Sequence, residues 1–485
     1  MQKRALLTTA VLRMHPSRAL WSIAWPVIAL GLVRAGYFLA DTFWAGRMGD
    51  DAPAALSAMG GAAFATWILS SLADLSAVGT HALVARAAGA GDRGAIRDAA
   101  TQGAWLSLAL GVAVAVFARP LADGYFALVG FSGPAFEAPL AMGTSLLRVL
   151  AWGFSAMTLQ ASLSAVFRGL GDTRVPMILS ATTFVVNAVL APVLIFGAGI
   201  FPRLGLAGAA WATVFASGLG ALLSLVALVL RGDAPTLALP RFATLGRIAA
   251  IGVPQAVSGV GFCLVYVLLG EVLTSFGPTA IAGLGIGHRV ESIAYHVAVG
   301  FGAGAATMVG QHLGAGDPLA ATRAANLGAK LAALAMLPFM AVFVLAPRAL
   351  VALWALDPET LARGSSYLLA AGAVLVLMAL EVVYESAFAG AGETMPALLV
   401  ALPLTAARIP AAAWLASHTT LGIEGIWLSI ALSTAAKGLL LWALHAWRAA
   451  RRSSAPLRSG HEKRQDAPPH GETVRAPSKE VPRGP

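Results

Sequence analysis

Hydrophobic and polar positions along this chain do not alternate in short segments; they fall into long apolar runs bounded by Gly, Pro or charge. A helix that crosses a bilayer needs roughly 20 apolar residues at about 1.5 Å each. Twelve runs meet that length: residues 20–45, 54–83, 99–119, 138–163, 175–197, 205–230, 247–275, 280–308, 322–346, 365–388, 396–416 and 423–447. They are too long and too uniformly apolar for barrel strands, and open sheet would leave backbone groups unpaired in lipid. The pattern therefore predicts an all-α polytopic membrane protein with twelve transmembrane helices. The first 18 residues are polar and carry Lys3, Arg4, Arg13 and Arg18, but the apolar stretch behind them is too long for a signal peptide. It reads as the first membrane helix. From Ala449 onward apolar periodicity stops and Arg, Ser, Pro and Glu take over, so residues 449–485 are expected to form a disordered, basic cytoplasmic tail.

Composition sharpens this picture. Of 485 residues 58% are hydrophobic and only 12% charged, about half the charged share of a soluble domain. The single cysteine, Cys263, excludes an intrachain disulfide and any cysteine-based metal site. Net charge is +10, which by itself would fit a nucleic-acid partner, an anionic surface or topology-setting loops. Placing the 33 Lys and Arg decides among these. If both termini face the cytoplasm, 22 lie on that side, five on outer loops (Arg47, Arg119, Arg203, Arg348, Arg363) and six inside helices. Such a bias sets membrane orientation and removes the case for nucleic acid.

The chain also repeats itself. Aligning Gly89 on Gly314 pairs GAGDRGAIRDAATQGA with GAGDPLAATRAANLGA, nine identities in sixteen, five of them Ala. Other anchors agree in order and nearly in offset: Pro26 and Gly49 with Pro254 and Gly277 (+228), FRGLGDT at 167 with FAGAGET at 388 (+221), and LGLAG at 204 with LGIEG at 421 (+217). Six helices are followed by six related ones. An even number keeps the halves in the same orientation, which predicts two pseudo-symmetric six-helix lobes, residues 1–235 and 236–448, around a central cavity.

These segments resemble the multidrug and toxic compound extrusion (MATE) family over residues 17–447. WPVIALGLVRAGYFLADTFWAGRMG is similar to the family's first helix with its Pro and Asp; GTHALVARAAGAGD and GAATMVGQHLGAGD to its second and eighth. FRGLGDTRVPM is similar to the loop into the fifth helix, LGLAGAAWAT to the sixth and LGIEGIWLSIALS to the twelfth. The resemblance implies an antiporter that exports amphipathic, often cationic compounds against inflowing H⁺ or Na⁺, its lobes alternating between outward-open and inward-open states.

Carboxylates at membrane depth are expensive, so each is a functional candidate. Asp41 sits in an otherwise apolar helix and falls on the family's motif, which makes it the first candidate for a proton or coupling ion. Arg34, seven residues earlier on the same helix face, would hold Asp41 ionised if it reached it, and is a candidate cavity residue. Asn187 matches the family's fifth-helix Asn, which resembling proteins couple to an Asp one turn later; here that place is Ala191. Thr213 and Ser164 complete the expected N-lobe cluster, each equally open to the alternative of bonding a carbonyl one turn back. Glu381 and Glu385 share a helix face and stand as possible replacements for the missing acid, with pairing to Arg408 or Lys437 as the alternative. The acids expected of a sodium-coupled branch do not align, since those places fall near Phe262 and Met378. Trp44, Phe154 and Tyr384 are candidates for stacking on aromatic cations in the cavity. Asp74, Glu271, His288, Arg289, Glu291 and His296 are weaker signals, with local ion pairing the plainer reading of Arg289 and Glu291.

Gly89, Gly91 and Gly94 satisfy G-x-G-x-x-G, but no strand precedes them, so a tight inter-helix turn is expected rather than a dinucleotide site. No catalytic arrangement, metal site or cofactor is expected beyond the coupling cation, H⁺ or Na⁺. The expected function is secondary antiport of small molecules, most readily cationic drugs or toxic metabolites, by a monomer in the inner membrane. A lipid-linked precursor flippase of the same superfamily and an integral-membrane lipid-modifying enzyme are the alternatives. The first would call for a cationic cavity and the second for a loop nucleophile or acidic metal run, neither of which the sequence supplies.

Overall fold

The computed structural model describes residues 10–128, 131, 133–354 and 357–454, and every regular element among them is helical. A single turn, α1 (Ala10–Arg13), precedes α2 (Pro16–Ala45), α3 (Ala52–Ala90), α4 (Arg93–Leu128), α5 (Glu137–Trp152), α6 (Phe154–Gly169), α7 (Arg174–Phe196) and α8 (Leu206–Arg231). The second half contains α9 (Phe242–Thr274), α10 (Pro278–Gly314), α11 (Pro318–Leu345), the short α12 (Pro347–Ala352), α13 (Pro358–Gly390), α14 (Thr394–Ala406), α15 (Arg408–His418) and α16 (Ile423–Ser454). Ten spans are long and apolar enough to cross a bilayer, and α5 with α6, bent by 51° at Gly153, make an eleventh. Helix α2, 30 residues long, occupies the place of the first expected crossing.

Expected and observed segments agree in order and differ in two ways. The crossing expected at 138–163 is broken, and the one at 396–416 divides at Ala407, three residues before Pro410, which cannot supply the next backbone donor. Several helices also overrun their apolar runs; α3 has 39 residues and α10 has 37, more than about 20 needed to span. Helix α16 continues to Ser454, past the boundary expected at 449, and the remainder of that tail lies outside the described residues.

The two halves interlock through their first helices. Helix α2 packs on α10 of the other half as well as on α7 of its own, and α9 packs on α3 as well as on α14. Close approach makes the pairing visible residue by residue. A Cβ on Gly79 would meet Ile248, and one on Gly304 would meet Leu20; Gly252 lies against Leu75, and Gly300 against Ala24. Applying the repeat offsets of 225 and 228 to either member of a pair yields the other, so the repeat in sequence is a pseudo-twofold in space.

The repeated motifs build the turns. In GAGD the second Gly adopts a left-handed conformation, φ +70° at Gly91 and +82° at Gly316, and reverses the chain. The Asp then caps the next helix: Asp92 Oδ1 accepts from the Ala95 N–H at 2.9 Å and Asp317 Oδ1 from the Ala320 N–H at 2.8 Å. The Thr of the other motif donates to a carbonyl three residues before the helix proline, Thr173 to Ile23 (2.9 Å) and Thr394 to Ile251 (2.7 Å).

Candidate functional site

At the end of the bundle where Ala10 and Ser454 lie, called the near end below, the halves are bonded together. Gln311 Nε2 donates to the Gly169 carbonyl at 2.9 Å, and Arg86 Nη2 donates to the Ala391 carbonyl at 3.0 Å. His81 Nε2 stands 3.0 Å from Thr307 Oγ1, which also reaches the Arg168 carbonyl at 3.1 Å. Toward the far end the same helices also pack on their own halves. Trp44 of α2 meets Phe196, Gly61 of α3 faces Phe126 and Phe131, Gly283 of α10 faces Arg363, and Tyr266 of α9 meets Arg408. The cross-half hydrogen bonds described above lie at the near end, and packing between the halves continues along α3 and α9, where Trp67 stacks on Phe262 and the Cys263 thiol contacts the Phe64 carbonyl.

In the first half, Asp41 and Ala191 stand at one depth. From the bond between Thr173 and Ile23, Asp41 is 41 − 23 = 18 residues further along α2 and Ala191 is 191 − 173 = 18 further along α7. Each is therefore about 27 Å beyond that bond along its helix. Ala191 is fully buried. One turn below it, Asn187 Nδ2 donates to Thr213 Oγ1 at 3.2 Å, and that hydroxyl also contacts the Ala209 carbonyl. Oδ1 of Asp41 and Oδ1 of Asn187 are buried and accept no hydrogen bond from a described residue. Two acceptors in this condition fit a group that brings positive charge or a proton.

The second half holds a larger polar network. Lys437 Nζ pairs with Glu381 Oε1 at 2.5 Å, and Gln255 Nε2 donates to Glu385 Oε1 at 3.4 Å. Arg408, the repeat counterpart of Asn187 (187 + 221 = 408), is 2% exposed and is held by three hydroxyls: Ser433 (2.5 Å), Thr434 (2.9 Å) and Tyr266 (3.1 Å). The His288 ring lies between Tyr266 and Tyr367, with centroids 4.8 and 5.4 Å away, and the Tyr367 hydroxyl donates to Glu291 at 2.5 Å. Three carboxylates (Glu291, Glu381, Glu385) thus stand against two fixed cations (Arg408, Lys437).

Between the halves, residues at mid-depth are exposed where packing would otherwise bury them. Tyr295, near the middle of α10, is 44% exposed and lies within electrostatic reach of Glu385, Glu381 and Asp74. Asp74, in the middle of α3, is itself exposed. An ionisable side chain exposed at that depth is costly unless it meets water, so these residues are the candidates to border the central opening expected between the lobes.

The MatE family model matches residues 26–193 and 254–414, most of the chain and both of its halves. The chain belongs to the MatE family. It is 26% identical over 418 residues to a probable multidrug resistance protein NorM of Thermotoga maritima, covering 85% of this chain and 88% of that one. It is likewise 26% identical over 436 residues to an FAD transporter of Shewanella oneidensis, covering 88% and 94%. The fold matches an outward-facing multidrug resistance MATE family transporter of the MOP superfamily, with a TM-score of 0.82 at 23% identity over 91% of this chain and 97% of that one. This is a family of membrane transporters, not of enzymes.

Measured against this MatE fold, the candidates separate. Asp41, Asn187 and Thr213 lie in the first half as described, and Ser164, buried on α6, makes no hydrogen bond to a described residue. Glu381 is taken by Lys437, the ion pair held open as the alternative reading, whereas Glu385 stays partly exposed beside Gln255. Phe154 is completely buried at the bend below Gly153, and Tyr384 is 3% exposed, its hydroxyl donating to Asn326 at 3.2 Å. In this state both are packing residues rather than cavity walls. Trp44 is partly exposed against Phe43 and Phe196. The Arg34 side chain lies outside the described residues. Asp74, Tyr295 and Gln255 are the candidates to border the opening; Asp74 was only a weak signal in sequence, and the other two carried none beyond their depth.

Proposed function

We propose that this MatE chain is a secondary antiporter that exports amphipathic, cationic compounds against an inward cation gradient, with H⁺ first and Na⁺ as the alternative. The observation that carries the reading is the pair of buried, undonated acceptor oxygens on Asp41 and Asn187. A proton on Asp41 would neutralise the acid, and a Na⁺ ion would find an oxygen ligand in either residue. Glu385 is the second coupling candidate, because Lys437 leaves one negative charge of the Glu381 and Glu385 pair unmatched.

Acids border the opening, which favours a cationic substrate over one carrying a diphosphate like that of the Shewanella FAD transporter. We read this arrangement, bonded across the halves at the near end, as the outward-open state, with the near end and both termini facing the cytoplasm and the membrane being the bacterial inner membrane. A monomer with two lobes, 1–235 and 236–448, suffices for alternating access.

Reconstituted full-length protein tests this directly. Efflux of a fluorescent lipophilic cation from proteoliposomes is measured under ΔpH alone and under ΔpNa alone. Wild type is expected to respond to ΔpH, and Asp41→Asn to lose at least tenfold of that rate while Asp123→Asn, an exposed ion-pair residue, does not. Full ΔpH-driven efflux by Asp41→Asn removes the proposed role; a response to ΔpNa alone reassigns the ion.

A further inference from the structure

The pseudo-twofold predicts that any crevice at the near end occurs twice, yet one copy is filled and the other is open. Around Gly392, residues Ala82, Leu83 and Arg86 of α3, Arg247, Ala250 and Ile251 of α9, and the α13–α14 turn enclose a cleft of about 210 Å³. At ~30 Å³ per water that is room for about seven waters, or a phosphate group with part of its hydration shell. The repeat offsets carry these positions to Gln311 on α10, Ala19 on α2 and Gly171 in the turn after α6. There Val11 of α1 occupies the space: it is 6% exposed, and its Cγ2 would stand 2.5 Å from a Cβ on Gly171. Nothing equivalent fills the second copy, because the chain entering α9 runs away to α4, where Trp105 donates to the Ala238 carbonyl and Gln102 bonds Arg241.

The open copy also differs in charge. Gln311 and Arg86 hold the same place in the repeat and make the same bond, each to a carbonyl of the other half. A glutamine is therefore sufficient for the structural contact, and the charge at position 86 is surplus to it. Arg247 stands where the first half has Ala19, and neither arginine forms an ion pair among the described residues. The acid beside the cleft, Glu393, is engaged by Arg448.

We propose that this cleft binds a phosphate group through Arg86 and Arg247 and, by bridging α3 of one half to α9 and the α13–α14 turn of the other, holds the near end shut. Planar guanidinium groups pair with phosphate oxygens through two parallel hydrogen bonds. The cleft lies at the end of the membrane helices, where phosphate is supplied by anionic lipid headgroups or by the free anion.

The test measures the thermal midpoint of the purified full-length protein in a neutral detergent after adding phosphatidylglycerol, phosphatidylcholine or inorganic phosphate. Phosphatidylglycerol is expected to raise the midpoint of wild type and of Arg323→Gln, an exposed arginine elsewhere, by about 3 °C or more above phosphatidylcholine. Arg86→Gln/Arg247→Gln is expected to lose that difference, its fold being protected because Gln already performs the carbonyl bond at 311. A shift with inorganic phosphate as well supports the site with the free anion as ligand; a shift with phosphatidylglycerol alone supports the lipid headgroup. Equal shifts in wild type and the double variant overturn the proposal, as does no shift in wild type. Should the double variant fail to fold, Arg247→Gln alone decides, and a full shift in it overturns the proposal too.

Discussion

Gly89 and Gly314 each lie against the backbone of the other's helix. A Cβ on Gly89 would stand 1.9 Å from the Gln311 carbonyl oxygen, and one on Gly314 would stand 1.9 Å from that of Arg86. Since 86 + 225 = 311 and 89 + 225 = 314, the two contacts are one contact seen twice, and the pseudo-twofold passes between α3 and α10 there. Gly89, the first of the three glycines that match G-x-G-x-x-G, is thus a place where the two halves close, while Gly91 makes the turn.

Gly89→Ala puts a methyl into a carbonyl that belongs to a long, packed helix and cannot rotate away. The near end is expected to part, with a destabilisation of about 1–3 kcal/mol or more from overpacking. Spin labels on the exposed positions 93 and 319 should report a longer mean distance in the variant. Gly60→Ala, where a Cβ meets nothing within 4 Å, should leave the distance unchanged. An unaltered distance in Gly89→Ala would mean that this crossing does not hold the near end shut.

Thr173→Val and Thr394→Val remove equivalent hydroxyls with little change of shape. Each leaves a carbonyl near a helix proline without its side-chain donor, at a cost of about 0.5–1.5 kcal/mol. The sites are in different halves, so the double variant is expected to lose the sum within about 0.5 kcal/mol. Thermal unfolding of the three variants in one detergent checks this; a loss in only one of the two would show that the halves do not use the motif alike.

Most of the architecture was legible because each crossing is a long apolar run and each turn carries Gly with Asp or Thr at a repeated offset. The offsets 225, 228 and 221 reappear in space as the Gly79 and Gly304 contacts and as the Thr173 and Thr394 bonds. What the sequence did not resolve was facing. Where a helix is apolar on all sides, the position of one polar or aromatic residue does not say whether it meets lipid, protein or water. Asp74 therefore looked weak although it is exposed at mid-depth, and Phe154 and Tyr384 looked like cavity walls although they pack inside. The bend at Gly153 was hidden for a related reason: a small residue within an apolar run reads as continuous helix, yet here a Cβ would strike Val214 at 2.1 Å.

Lys437 and Glu381 form a pair whose side chains are 4% and 12% exposed. Removing only the cation strands a carboxylate next to Glu385, so Lys437→Met is expected to cost about 3–5 kcal/mol. Lys437→Met/Glu381→Gln should recover most of that loss, because the carboxylate stranded by the loss of the cation is neutralised with it. A double-mutant cycle on denaturant or thermal stability measures the coupling, and a double variant no better than the single one would place the cost in packing rather than charge.

Arg408 offers the sharpest test of the second half, because its geometry requires a fork and its repeat counterpart is neutral. Nε, Nη1 and Nη2 donate to three different residues, Ser433, Tyr266 and Thr434, on two helices. A lysine ammonium keeps the charge but brings its donors from one atom, so it can keep about one of these charge-assisted bonds, each worth ~1.5–3 kcal/mol. Arg408→Lys is therefore expected to destabilise by about 3 kcal/mol. Arg408→Asn, which imitates position 187, loses the bonds and also leaves Lys437 alone against Glu291, Glu381 and Glu385; it should be worse than Arg408→Lys. Adding Glu385→Gln to Arg408→Asn removes one of those uncompensated charges and should return part of the difference. Melting curves of the three variants decide it: if Arg408→Asn is no less stable than Arg408→Lys, the charge on Arg408 does not balance the acids of this half.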